Sequence, residues 1–110
     1  MAAIGQLLPS RGDPRDRLTE ILRARFNAAT VVLTGSGTQA LHSAIAMTAA
    51  QAPPGSTVAL PAFSCYDVAS AAIGAGMPVA LYDLDPSTLG PDRASLERVL
   101  QSGARVVVVA

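Results

Sequence analysis

Apolar residues recur along this chain in two rhythms that take turns. Leu18, Ile21, Leu22 and Phe26 fall at helical spacing behind Asp13-Pro14, an N-cap followed by proline at the first helical position, and predict a helix over 14–26 with one buried face. The β-branched run Val31-Val32-Leu33 predicts a strand over about 30–34. Leu41, Ala44, Ile45 and Met47 return to helical spacing over about 38–50, until Pro53-Pro54-Gly55 breaks the chain. Thr57-Val58-Ala59-Leu60 is a short strand ending at Pro61, and a helix follows to about Ile73. Ser64 and Asp67 carry the spacing of a capping box for that helix. Val79 to Asp83 is a third strand, Asp92 opens a last helix with Leu96, Val99 and Leu100 inward, and Arg105 to Ala110 is a fourth strand, apolar on both faces.

Strands and helices alternate throughout, and the strands are short and almost wholly apolar. This predicts an α/β fold with a mainly parallel sheet covered on both faces, a three-layer α/β/α arrangement. Residues 1–12 carry turn formers without pattern and are read as an arm; 13–110 form the domain. A chain that closes on a doubly buried strand is expected to be the N-terminal piece of a larger domain.

The chain has 110 residues and a formal charge of zero, so nothing points to a nucleic-acid partner. It lacks the charged start and apolar core of a signal peptide and any run of the roughly 20 apolar residues that span a membrane. One cysteine permits no internal disulfide, which agrees with a reducing cytoplasm. All eight basic residues are Arg, so chemistry that needs an amine side chain has no residue to perform it.

The candidate chemistry lies in Thr34-Gly35-Ser36-Gly37-Thr38-Gln39-Ala40-Leu41, a turn between the first expected strand and the next helix. Such a turn aims backbone N–H groups and a positive helix end at one spot, the hydroxyls of Ser36 and Thr38 add donors, and the glycines permit close approach of an anion. A phosphate suits it. A Lys-dependent P-loop is excluded. The dinucleotide fingerprint is met formally by Gly35, Gly37 and Ala40, but Leu60-Pro61 stands where its ribose-binding acid belongs, and a G-x-S-x-G elbow is absent. His42, one turn after Thr38, is read as a surface or packing residue, and Asp83 and Asp85 as turn and capping groups in preference to metal ligands.

The loop, together with Val58-Ala59-Leu60-Pro61-Ala62-Phe63-Ser64, Gly76-Met77-Pro78-Val79 and Tyr82-Asp83-Leu84-Asp85-Pro86-Ser87-Thr88-Leu89, resembles in order and spacing the N-terminal part of the DegT/DnrJ/EryC1/StrS sugar aminotransferase family, over about 15–110. The resemblance implies the large domain of a fold-type-I enzyme dependent on pyridoxal 5'-phosphate, present here as its incomplete N-terminal part. In that fold the strands at 79–83, 57–60 and 105–110 lie side by side in this order, and the one at 30–34 is remote from them. It implies that Gly37 and Thr38, with Ser36 beside them, hold the cofactor phosphate. It also places an aromatic residue after Pro61 against the cofactor ring. The fifth position counted from that proline is Cys65, which leaves Tyr66 as the favoured stacking residue and Phe63 as the second. The substrates implied for the intact enzyme are a nucleotide-linked keto sugar or related carbonyl compound and an amino donor, and the intact enzyme is expected to be a homodimer. The Schiff-base lysine lies in no part of this sequence, so the chain alone is expected to be inactive, and marginally stable or prone to aggregate because apolar strand edges lack neighbours. Two other readings remain open: a small nucleotide- or phosphate-binding α/β module, and a remnant without function.

Overall fold

A computed structural model describes residues 12–109. Most of the expected arm therefore lies outside the described residues. The chain divides into two compact units, one ending at Thr34 and the other starting at Gly35.

The first unit contains α1, Pro14–Phe26. Asp13 caps it as expected, its carboxylate accepting from the N–H of Arg15 at 3.0 Å, and Asn27 closes it in the left-handed conformation, φ 48°. The expected buried face is open: Ile21 is 54% and Phe26 69% exposed. Spacing decides which stripe of a helix is apolar, and only a second layer buries it; among the described residues of this unit α1 is the one helix. Residues 31–34 do not form the expected strand, and Val32 is 73% exposed. A strand exists only through its neighbours, and no described strand pairs with this run.

The second unit holds α2 (Gly37–Ala49), β1 (Thr57–Pro61), α3 (Tyr66–Gly74), β2 (Val79–Tyr82), α4 (Arg93–Gln101) and β3 (Ala104–Val107). Its three strands form one sheet in the order β2-β1-β3, parallel throughout, with Val58 opposite Val79 on one side and Val106 on the other. This is the order expected for the strands at 79–83, 57–60 and 105–110. Handedness accounts for the layers. The chain steps from β1 to β2 in one direction and from β2 back past β1 in the other, so two right-handed crossovers must put α3 and α4 on opposite faces.

The core follows. On one face Val58, Leu60 and Val106 are buried with Ile45 of α2 and Ala71 and Ala72 of α3. On the other Ala59, Tyr82 and Ala104 are buried beneath Leu96 and Val99 of α4. Ala104 and Val106 would share a face in a regular strand. They join different clusters because the register with β1 shifts between Thr57 and Val58, with Arg105 as the extra residue. From Val58 to Pro61, β1 is buried on both faces, the consequence of neighbours on both sides. The edges are more open: Leu81 is 58% and Val109 65% exposed, so the fourth strand is not apolar-buried on both faces as its sequence suggested.

The connection from β2 to α4 is a turn held by one carboxylate. Asp85 Oδ1 accepts from the Ser87 N–H at 2.7 Å, the Ser87 hydroxyl at 2.5 Å and the Thr88 N–H at 3.3 Å. The turn reading of Asp85 thus agrees with the geometry, and among the described residues no group of three or more His, Cys, Asp or Glu could hold a metal ion. Led by the Ser87 hydroxyl and then its N–H, these bonds hold the Asp85 carboxyl below its usual value of 3.8. Since the folded pKa is the lower one, the contribution of Asp85 is complete above the ordinary carboxylate value and is lost as pH falls through the folded value. The amide shifts of Ser87 and Thr88 should accordingly titrate with a midpoint under 3.8, and Asp85→Asn should abolish the transition. A midpoint at or above the ordinary value would contradict this account.

Candidate functional site

The glycine-serine-threonine loop becomes the start of α2. Ser36 is extended at the N-cap, φ −159°, and its hydroxyl oxygen accepts from the Gln39 N–H at 3.2 Å. The Gln39 side chain turns back, and its Oε1 accepts from the Gly35 N–H at 3.0 Å. Ser36 and Gln39 thus form a capping pair whose S-x-x-Q spacing was readable in the sequence and passed over there. The next two residues, Gly37 and Thr38, occupy the first helical positions, whose N–H groups have no acceptor within the helix. Gly37 is exposed and a Cβ built on it would meet no atom within 4 Å.

The electrostatics of this helix start differ from those of the other three described helices. α1 begins with Asp13 and Asp16, α3 has Asp67 in its first turn, and α4 is capped by Asp92, whose carboxylate accepts from the Ser95 N–H at 2.8 Å. α2 has a neutral cap and no acid in its first turn. Carboxylates at a helix start neutralise the partial positive charge there and repel other anions. Of the described helices, α2 alone leaves that charge unopposed, and its donor set of two N–H groups and a threonine hydroxyl fits a phosphate.

Phe63 and Tyr66 leave the carboxyl end of the central strand β1, the side of an open parallel sheet on which ligands ordinarily bind. Phe63 lies in the bend after Pro61 and Tyr66 is the first residue of α3; they are 81% and 79% exposed. Neither ring belongs to a buried core cluster, so the packing role an aromatic residue ordinarily fills is not theirs here. α3 begins one residue later than the expected capping box requires. Cys65 is its N-cap and makes no side-chain capping bond, while the Ser64 hydroxyl donates to the Pro61 carbonyl at 3.3 Å. Without a hydroxyl at the N-cap itself the reciprocal bonds cannot form. The Cys65 thiol instead donates to Asp67 Oδ2 at 3.7 Å.

α2 and α3 pack on the same face of the sheet, so the loop donors and Tyr66 come from the starts of consecutive helices of one layer, and Phe63 from the bend that leads into the second. His42 belongs to this packing: a Cβ added to Gly74 of α3 would stand 3.4 Å from its ring carbon Cδ2. This agrees with the expectation of a surface or packing histidine. No helix among the described residues is long and apolar enough to cross a membrane.

A model of the DegT/DnrJ/EryC1/StrS aminotransferase family matches residues 2–110. No curated protein matches the chain.

Proposed function

Because the chain belongs to the DegT/DnrJ/EryC1/StrS aminotransferase family, we propose that it furnishes the phosphate cup and one face of the cofactor site of a pyridoxal-phosphate-dependent aminotransferase. The observation that carries this reading is the start of α2, the one described helix that begins without a carboxylate. The Gly37 and Thr38 N–H groups and the Thr38 hydroxyl hold the phosphate, and Ser36 supports them through the cap it makes with Gln39. Tyr66, or Phe63 in its place, covers one face of the pyridine ring; both are exposed and follow the strand end at which a ligand would sit. Bound pyridoxal phosphate supplies an aldehyde and an electron-accepting ring through which an amino group is moved. The substrates are a nucleotide-linked keto sugar or related carbonyl compound and an amino donor, residues 13–110 form part of the large domain, and the enzyme works in the cytoplasm as a homodimer. With no lysine among the 110 residues, no side chain of this sequence supplies the amine that engages the aldehyde.

Titration of the purified chain with pyridoxal phosphate tests this. Binding should saturate and be displaced by inorganic phosphate, and borohydride should leave no pyridoxyl group on any side chain, the α-amino terminus being the one amine available. Saturable binding of a dinucleotide without pyridoxal phosphate would favour the nucleotide module instead, and binding of neither ligand would sink the proposal.

A further inference from the structure

Gln39 carries no chemistry of its own, yet two bonds to the loop pass through it. Its Oε1 accepts from the Gly35 N–H at 3.0 Å and its own N–H donates to Ser36 Oγ at 3.2 Å. We infer that Gln39 is a positioning residue for the phosphate cup: it holds the turn at Gly35 and Ser36 in place, so that Gly37 and Thr38 present their donors without further ordering. The inference rests on the reading of this loop as a phosphate site.

Two features argue that the pair is matched to this task. A Cβ on Gly35 would stand 2.9 Å from Gln39 Oε1, so a side chain at 35 and the amide at 39 compete for one space, and glycine is what admits the amide. The second is charge. A glutamate at 39 could accept the same bond, since its carboxylate, like the amide oxygen, can reach back to a backbone N–H at the helix start. It would also place a carboxylate in the first turn, as Asp16 and Asp67 do in α1 and α3. Glutamine makes the bond and leaves the helix end positive. Fixing the loop before the ligand arrives lessens the ordering that binding would otherwise have to supply.

The test uses the full chain with Gln39→Ala and Gln39→Glu. It reads amide hydrogen exchange at Gly35 beside the affinities for inorganic phosphate and pyridoxal phosphate. In Gln39→Ala the Gly35 amide should exchange about tenfold faster and both ligands should bind about three- to tenfold more weakly, the range one net hydrogen bond commands. In Gln39→Glu the Gly35 amide should stay protected at pH 7 while phosphate binding still weakens, because the bond survives and the charge does not suit. A capping role alone predicts no such separation of loop protection from affinity. Unchanged exchange at Gly35 in Gln39→Ala would overturn the assignment of Gln39, as would Gln39→Glu binding phosphate as tightly as the unsubstituted chain. If the unsubstituted chain binds neither ligand while Gly35 still responds to Gln39→Ala, the phosphate-site reading itself fails, and the role toward the anion with it.

Discussion

Tyr82→Ala is expected to cost about 3–5 kcal/mol, the range for deleting a buried aromatic side chain. Tyr82 is 1% exposed at the end of β2, and its ring lies with Ala59 of β1 and Ala104 of β3, two residues small enough to leave room for it. Its hydroxyl donates to the Val108 carbonyl at 2.6 Å, just past β3, so one side chain from an edge strand reaches beyond the central strand to the opposite edge. Tyr82→Phe keeps the ring and should cost about 1 kcal/mol, the net value of one hydrogen bond. Exchange of the β1 amides, Val58 to Leu60, measures both. Protection should fall by about a hundredfold to about four thousandfold for the alanine variant at 1.4 kcal/mol per tenfold change, and about fivefold for phenylalanine. A loss for alanine no larger than that for phenylalanine would show that the ring packs against nothing of consequence. Burial also raises the Tyr82 pKa above its ordinary 10.0. The folded value is the higher one, so its contribution is complete below the ordinary value and is lost as pH rises through the folded value.

Gly37→Asp is expected to separate the site from the fold. The position is helical, its φ is not positive, and a Cβ there meets nothing within 4 Å, so the backbone accepts the substitution. An aspartate in the first turn should stabilise α2 by about 0.3–1 kcal/mol through the helix dipole. The same carboxylate stands where the phosphate is proposed to bind, and like charges brought together at a binding contact cost several kcal/mol. Affinity for pyridoxal phosphate should therefore fall at least about a hundredfold, while thermal unfolding moves to the same or a higher temperature. Undiminished binding by a folded Gly37→Asp chain would remove the start of α2 from the cofactor site.

What could be read beforehand in the sequence divides along the range of the forces involved. Asp13-Pro14, Ser36 and Asp92 announce helix starts because a cap is made within three residues of itself. Thr57 to Pro61 reads as a buried strand because both its faces are apolar. The order of the strands came from resemblance, since pairing between Val58 and Val106 leaves no local trace. Val31-Val32-Leu33 has strand composition and no strand, because composition cannot supply a neighbour. Ser64 and Asp67 have the spacing of a cap, yet the helix begins one residue further on, a difference decided by the path out of β1. At the site, the donors of the loop were legible and the Gln39 clamp was also within reach. The tie from Tyr82 to Val108, spanning 26 residues, was not.

The central place of β1 also sets an order of assembly. Joining Val58 to Val79 closes a loop of 21 residues, and joining it to Val106 closes one of 48, counted from their positions in the two ladders. Loop entropy separates these by only about 0.7 kcal/mol, little more than one doubling of length. On a ribosome, however, the shorter closure has all its residues about 27 earlier, by the same positions, so a parallel β1–α3–β2 crossover unit can dock before the third strand is made. The tyrosine hydroxyl then waits on one flank of that nascent unit for a carbonyl not yet synthesised, and its capture by Val108 marks the moment the sheet closes.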